Sequence, residues 1–239
     1  RSLQPGQLFV PLVAERDGHE FIGGALARGA AAYLTVRPPV GGTAIEVSHT
    51  LHALMALAAA QRLQFGGPVI GVTGSVGKTS TKDLAWAALA ASRVTWANER
   101  SFNNEQGLPT TVLNTPDGTQ VLVLEMGMRG HGEIAELCRI GQPTIGVVTR
   151  VAEAHSDRVG GIDGVARAKG ELIESLPASG VAILNHDDIR VRPMADRSAA
   201  PVVYYGESAH TDVHVRITDV RLDEIARPTF HLHTPWGSA

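Results

Sequence analysis

The segment Gly71-Val-Thr-Gly-Ser-Val-Gly-Lys-Thr-Ser80 follows an apolar run beginning at Val69 and leads into an alanine-rich stretch of helical pattern. A strand, a glycine loop and a helix in that succession confine the chain to an α/β fold and point to a phosphate cradle. Glycines let successive backbone N–H groups converge on phosphate oxygens, and the helix N-terminus adds the positive end of its dipole. Lys78 would reach the outer phosphates and the Thr79 hydroxyl would ligate Mg²⁺. The candidate nucleotide-binding residues are therefore Gly74, Ser75, Val76, Gly77, Lys78, Thr79 and Ser80. The spelling departs from the general P-loop, in which the first glycine would stand where Val72 is; Gly71 and Gly74 flank it. The bland alternative is a glycine-rich turn with no ligand.

Around this unit the pattern keeps alternating. Val121 to Met126 is a near-continuous apolar run, as in strands buried on both faces. A helix is expected over 132–140, with Ile134, Leu137 and Cys138 on one face, then a strand over 144–148, a helix over 162–176 and a strand over 181–184. Such alternation predicts a mostly parallel sheet. Beyond Asp188, Val213, Val215 and Ile217 alternate with polar residues, as in half-exposed strands. Before the glycine loop, strands over 7–12, 31–36 and 44–47 and helices over 21–29 and 50–65 read as a small mixed α/β domain. Phe65-Gly-Gly-Pro68 breaks the last of these helices. The expected organisation is a small domain over 1–66 and a P-loop-type domain over 67–239, in keeping with 239 residues at roughly 150 per domain.

Composition excludes several classes. A net charge of −3 gives no basic field to hold nucleic acid. No apolar run nears the roughly 18 residues that a membrane helix needs. The lone Cys138 cannot form an intramolecular disulfide, which fits a reducing cytoplasm. A cytoplasmic monomer without membrane insertion is expected.

Glu125 ends the 121–126 run, so it should emerge at the C-terminal edge of the sheet beside the loop and is a candidate metal ligand; a carboxylate that merely faces water is the alternative. Lys169 lies near the centre of an apolar arc formed by Ile162, Val165, Ala166, Leu172, Ile173 and Leu176 at helical spacing. Burial would disfavour its charge, leaving an amine able to act as a nucleophile or to accept carbon dioxide as a carbamate. Equally, the lysine could snorkel to a surface carboxylate such as Glu171. His155 follows the 144–148 strand and would share the same edge, able to ligate a metal or touch phosphate; a solvated loop histidine is the alternative. His231 and His233 read as exposed strand residues, Cys138 and Trp86 as core, and Asp187-Asp188 as either a turn or a ribose or metal contact.

Taken in order, several elements resemble the Mur ligases over nearly the whole chain. The segment Gly71 to Ser80 is similar to that family's T-G-x-x-G-K-S/T loop, which accounts for the unusual glycine spacing. Asn103-Asn104-Glu105-Gln106-Gly107-Leu108-Pro109 resembles its N-N-E-x-G-x-P element. Glu125-Met126-Gly127 with Gly132-Glu133-Ile134, and Ala154-His155 with Ala168-Lys169-Gly170-Glu171, resemble E-M-G…G-E-I and A-H…A-K-G-E. The residues from Pro5 to Val10 and from Gly29 to Ala32 look like the domain that receives a UDP-sugar peptide. Arg150 and Ser156-Asp157 depart from the usual residues of this branch.

The resemblance implies an ATP-dependent amide ligase that joins D-alanyl-D-alanine to UDP-N-acetylmuramoyl-tripeptide through an acyl phosphate. It makes Lys78, His155 and Lys169 catalytic, adds Asn104 to the nucleotide-binding residues, and assigns Thr79, Glu125, His155 and a carbamylated Lys169 to two Mg²⁺ sites. It also implies that the chain ends before the family's adenine-contacting segment and C-terminal domain. Another amino-acid ligase of the family, a nucleotide or UDP-sugar binding module without turnover, and a P-loop GTPase or kinase are the rival readings.

Overall fold

The computed structural model describes residues 3–153 and 159–239. Its first part holds β1 (Leu8–Phe9), a 3-10 turn over Gly18–Phe21 that runs into α1 (Ile22–Ala27), β2 (Ala32–Thr35), β3 (Ala44–Glu46) and α2 (Thr50–Arg62). The three strands form a parallel sheet in the order β1-β2-β3. β1 is shorter than the sequence pattern predicts, since Pro11 just beyond it has no N–H to offer a neighbouring strand.

A second sheet is built from β4 (Val69–Thr73), β5 (Thr95–Ala97), β6 (Val121–Glu125), β7 (Ile145–Val148), β8 (Val181–Asn185), β9 (Val202–Gly206), β10 (Val213–Leu222), β11 (Pro228–Thr234) and β12 (Gly237–Ser238). Their order is β12-β11-β10-β9-β8-β7-β4-β6-β5. All pairings from β5 to β10 are parallel, while β10–β11 and β11–β12 are antiparallel. The crossovers are α3 (Lys78–Ala90), α4 (Gly107–Leu113), α5 (Glu133–Gly141) and α6 (Gly161–Glu174).

From β4 the chain crosses by α3 to the edge strand β5 and returns by α4 to β6. From there α5 carries it past β4 to β7 on the other side. The reversal opens a crevice at the C-terminal ends of β4 and its neighbours, where open α/β sheets bind ligands. Every residue of β6 is buried, as its unbroken apolar run requires. α5 turns Ile134, Leu137, Cys138 and Ile140 into the core, and α6 does the same with Val165, Leu172 and Ile173. Trp86 corrects the expectation of a core position: its ring is 45% exposed and its indole N–H donates to Thr95 O. α3 covers the margin of the sheet, so a large ring there reaches past the edge strand into solvent.

The Phe65–Pro68 break is bridged by a buried cation. The guanidinium of Arg62 donates to Phe65 O, Gly141 O and Gln142 O at 2.7, 2.7 and 3.0 Å. It thereby satisfies carbonyls at the C-terminus of α5, which a helix end otherwise leaves open. Among the described residues no helix is long and apolar enough to cross a membrane.

Candidate functional site

The glycine loop leaves β4 under tight constraint. Gly74 has φ 150°, and a Cβ there would stand 1.9 Å from Thr149 Oγ1, so only glycine fits. Gly77, at φ 86°, turns the chain into α3. The segment after β7 holds the loop from behind: Thr149 Oγ1 donates to Val76 O at 2.6 Å, Ser75 N to Arg150 O at 2.6 Å and Ser75 Oγ to Ala152 O at 2.9 Å. This leaves the first turn of α3 to present its free amides outward, the condition for cradling an anion. Lys78 Nζ donates to Gly74 O at 2.8 Å, lying back over the loop it serves. Val76, Gly77 and Ser80 are exposed, and Thr79 is half-buried.

On the adjacent strand Glu125 pairs in register with Val72 and is only 1% exposed. It does not face bulk water. Its Oε1 accepts from Asn103 Nδ2 at 2.7 Å, while Oε2 is buried without a hydrogen-bond partner among the described residues. A buried carboxylate oxygen with no donor is costly unless a cation completes it, so the side chain suits a metal. Asn98 supports this arrangement from below: its Oδ1 accepts from Glu125 N at 2.7 Å, and its Nδ2 donates to Phe102 O and Glu125 O at 2.7 and 3.2 Å. The buried Lys82 in turn donates to Asn98 O at 2.8 Å and pairs with Asp83. A Cβ on Gly127 would lie 2.7 Å from Asn103 Oδ1 and would push that side chain from its place against Glu125.

Lys169 is 4% exposed on the inner face of α6. Burial, reinforced by repulsion from Lys78, lowers its pKa from 10.5 to about 8. The snorkelling alternative does not occur. Glu171 points instead to the start of α5, where its carboxylate accepts from Gly132 N at 2.7 Å and Ala135 N at 3.0 Å. Among the described residues no carboxylate forms an ion pair with Lys169.

A cavity of about 480 Å³ gathers Ser75, Lys78, Asn103, Asn104, Arg129 and Lys169 along its wall. Groups nearly a hundred positions apart in sequence thus face one space. Glu125 sits directly behind Asn103. Asn104 has a second duty, since its Oδ1 accepts from Gly107 N at 2.9 Å at the start of α4. His155 lies outside the described residues. Asp187 and Asp188 lie just after β8 and accept from Glu207 N and from Arg190 and Val151 N respectively. His231 and His233 are exposed on β11, and Cys138 is buried against Met126. Sequence reasoning selected Asn104 and passed over Asn103, although the paired asparagines were a signal. Asn98 and Lys82 carry no pattern that would single them out.

The model of the Mur ligase middle domain matches residues 72–237. UDP-N-acetylmuramoyl-tripeptide--D-alanyl-D-alanine ligase of Mycobacterium tuberculosis is 41% identical, over 98% of this chain and 50% of that protein. The crystal structure of MurF from Acinetobacter baumannii superposes with a TM-score of 0.91 at 30% identity, covering 100% of this chain and 52% of its own. MurF ligase from Thermotoga maritima, solved in complex with ADP, gives 0.88 at 29% identity over 100% of this chain and 55% of that one. The chain spans about half the length of the curated relatives it matches.

Proposed function

Because this chain belongs to the Mur ligase family, we propose that it is the nucleotide-binding part of an ATP-dependent ligase joining D-alanyl-D-alanine to UDP-N-acetylmuramoyl-tripeptide, a cytoplasmic step of peptidoglycan precursor assembly. The observation that carries this reading is the single cleft onto which the glycine loop, Lys78, Asn104 and Lys169 open, with Glu125 behind it. The named activity of the relatives and the ADP held by the Thermotoga maritima protein support it.

In this reading residues 67–239 bind ATP and residues 1–66 receive the UDP-sugar peptide. The loop amides and the start of α3 hold the phosphates, and Lys78 exchanges its contact with Gly74 O for the outer phosphate. The γ-phosphoryl group moves to the free carboxylate of the tripeptide. The amine of D-alanyl-D-alanine then attacks the acyl phosphate, and phosphate leaves. Little covalent work falls to the protein, whose task is to position the partners, neutralise the transferring group and exclude water that would hydrolyse the acyl phosphate. Thr79 and Glu125 would hold one Mg²⁺, with His155 and Lys169 near a second; the metal supplies charge neutralisation on the phosphates. The orphaned Oε2 of Glu125 fits that role. The depressed pKa of Lys169 suits carbamylation, because an amine at about 8 has on the order of 300 times more neutral form at pH 7 than one at 10.5.

The test is phosphate release by the complete ligase that requires both substrates. Lys78→Ala and Glu125→Gln should each lower it roughly 100-fold or more, as losing one aimed electrostatic group does in other enzymes. Full activity in either variant would overturn the assignment.

A further inference from the structure

The end of β8 carries a cluster for which the ligase chemistry has no use. His186, the first residue after β8, is 6% exposed. Its ring packs edge-on against Tyr204, with centroids 5.3 Å apart, and lies 4.9 Å from the ring of His210. His210 and Asp212 are exposed in the turn that enters β10. One ring nitrogen from each histidine and one carboxylate oxygen of Asp212 all lie within 4.8 Å of one another. We propose that His186, His210 and Asp212 bind a first-row divalent cation, zinc above all, which clips the β9–β10 connection to the end of β8.

Three features favour a cation over a chance meeting of polar groups. His186 Nδ1 is 3.1 Å from Ser208 Oγ; donating there would leave Nε2 as the lone-pair nitrogen, the state in which metal-binding histidines are held by a second partner. His210 Nδ1 accepts from Asp212 N at 3.3 Å, a long bond able to yield, and stands 3.4 Å from Asp212 Oδ2. The ring and the carboxylate of this pair thus already converge, and a cation between them would take a lone pair from each. The scaffold, finally, is set from below: Asp187 accepts from Glu207 N at 2.6 Å, tying the start of the connection to the end of β8.

Tetrahedral zinc with bonds near 2.1 Å places its donors about 3.4 Å apart. The cluster therefore has to close by little more than an ångström, and its two exposed members lie on a turn that can supply the movement. Two imidazoles and one carboxylate suit zinc and its borderline neighbours; Mg²⁺ selects all-oxygen sites. A water would complete the set. β7 separates this cluster from the glycine loop on β4, so the proposal stands or falls apart from the ligase assignment.

The experiment is titration of the chelator-treated protein with Zn²⁺ against a chromophoric chelator, with Co²⁺ absorption reporting the geometry and thermal melting reporting linkage to the fold. Wild type should take up one Zn²⁺ in competition with excess Mg²⁺, show tetrahedral Co²⁺ bands and melt higher when loaded. His210→Ala and Asp212→Ala, both at exposed positions and so expected to fold, should each weaken binding by more than about tenfold, given that even outer partners of a metal site cost 10- to 100-fold. Absence of saturable Zn²⁺ binding by wild type overturns the proposal, as does equal affinity in both variants.

Discussion

Replacing Lys169 with methionine is expected to stabilise the fold at pH 7 while removing the ligase activity proposed for the complete protein. The amine falls from 10.5 to about 8 on folding, mainly through desolvation and secondarily through Lys78. At roughly 1.4 kcal/mol per tenfold, the folded protein carries about 3 kcal/mol of penalty for holding this proton. The sign follows from proton counting. Between pH 8 and 10.5 the unfolded chain still binds the proton that the folded chain has released, so stability climbs with pH across that window. Below pH 8 both states are protonated and the penalty is felt in full. Methionine is of similar length and meets Val165, Leu172 and Ile173 without a charge, and exchanging buried ionic groups for apolar ones often gains 1–4 kcal/mol, roughly. Urea denaturation of both proteins in bicarbonate-free buffer, at pH 7 and at pH values up to about 10.5, supplies the comparison. The variant should lead by about 3 kcal/mol at pH 7, and the lead should shrink toward zero as the pH rises. A variant no more stable at pH 7, or a constant difference across the range, would refute the argument that Lys169 is held against its charge.

Two further outcomes follow from the packing. Glu171→Ala removes the carboxylate that caps α5 from α6 and should cost about 1–2 kcal/mol in denaturant unfolding; a loss below a few tenths would show that water replaces the cap. Burial pushes the Cys138 thiol up to about 12, so iodoacetamide at pH 8 should leave the native protein unlabelled and modify it fully in denaturant. Prompt labelling of the native protein would contradict the placement of α5.

Elements with strong local signals were legible in the chain. The unbroken apolar run of β6, the striped helices α5 and α6, and the glycine loop between β4 and α3 all stand within a residue or two of their expected places. β5 has only three residues, and α4 opens Gly107-Leu-Pro-Thr-Thr, a composition poor in helix formers. α4 nonetheless forms, because Asn104 satisfies its first amides and proline is tolerated in a first turn. Such elements are held by tertiary context, which no local pattern records.

The site divides in the same way. The chain alone marked Lys78, Thr79, Glu125 and Lys169, because glycine spacing, a charged residue ending an apolar strand and a cation inside an apolar stripe are each local departures from what packing would choose. Only the folded molecule decided that, among the described residues, Glu125 is buried with one oxygen unpartnered, Asn103 rather than solvent meets the other, and Lys169 is buried without an ion pair to a carboxylate. Those facts depend on which strand lies beside which. A polar atom's desolvation and its partners are set by neighbours brought from distant parts of the chain, and therefore belong to the tertiary structure.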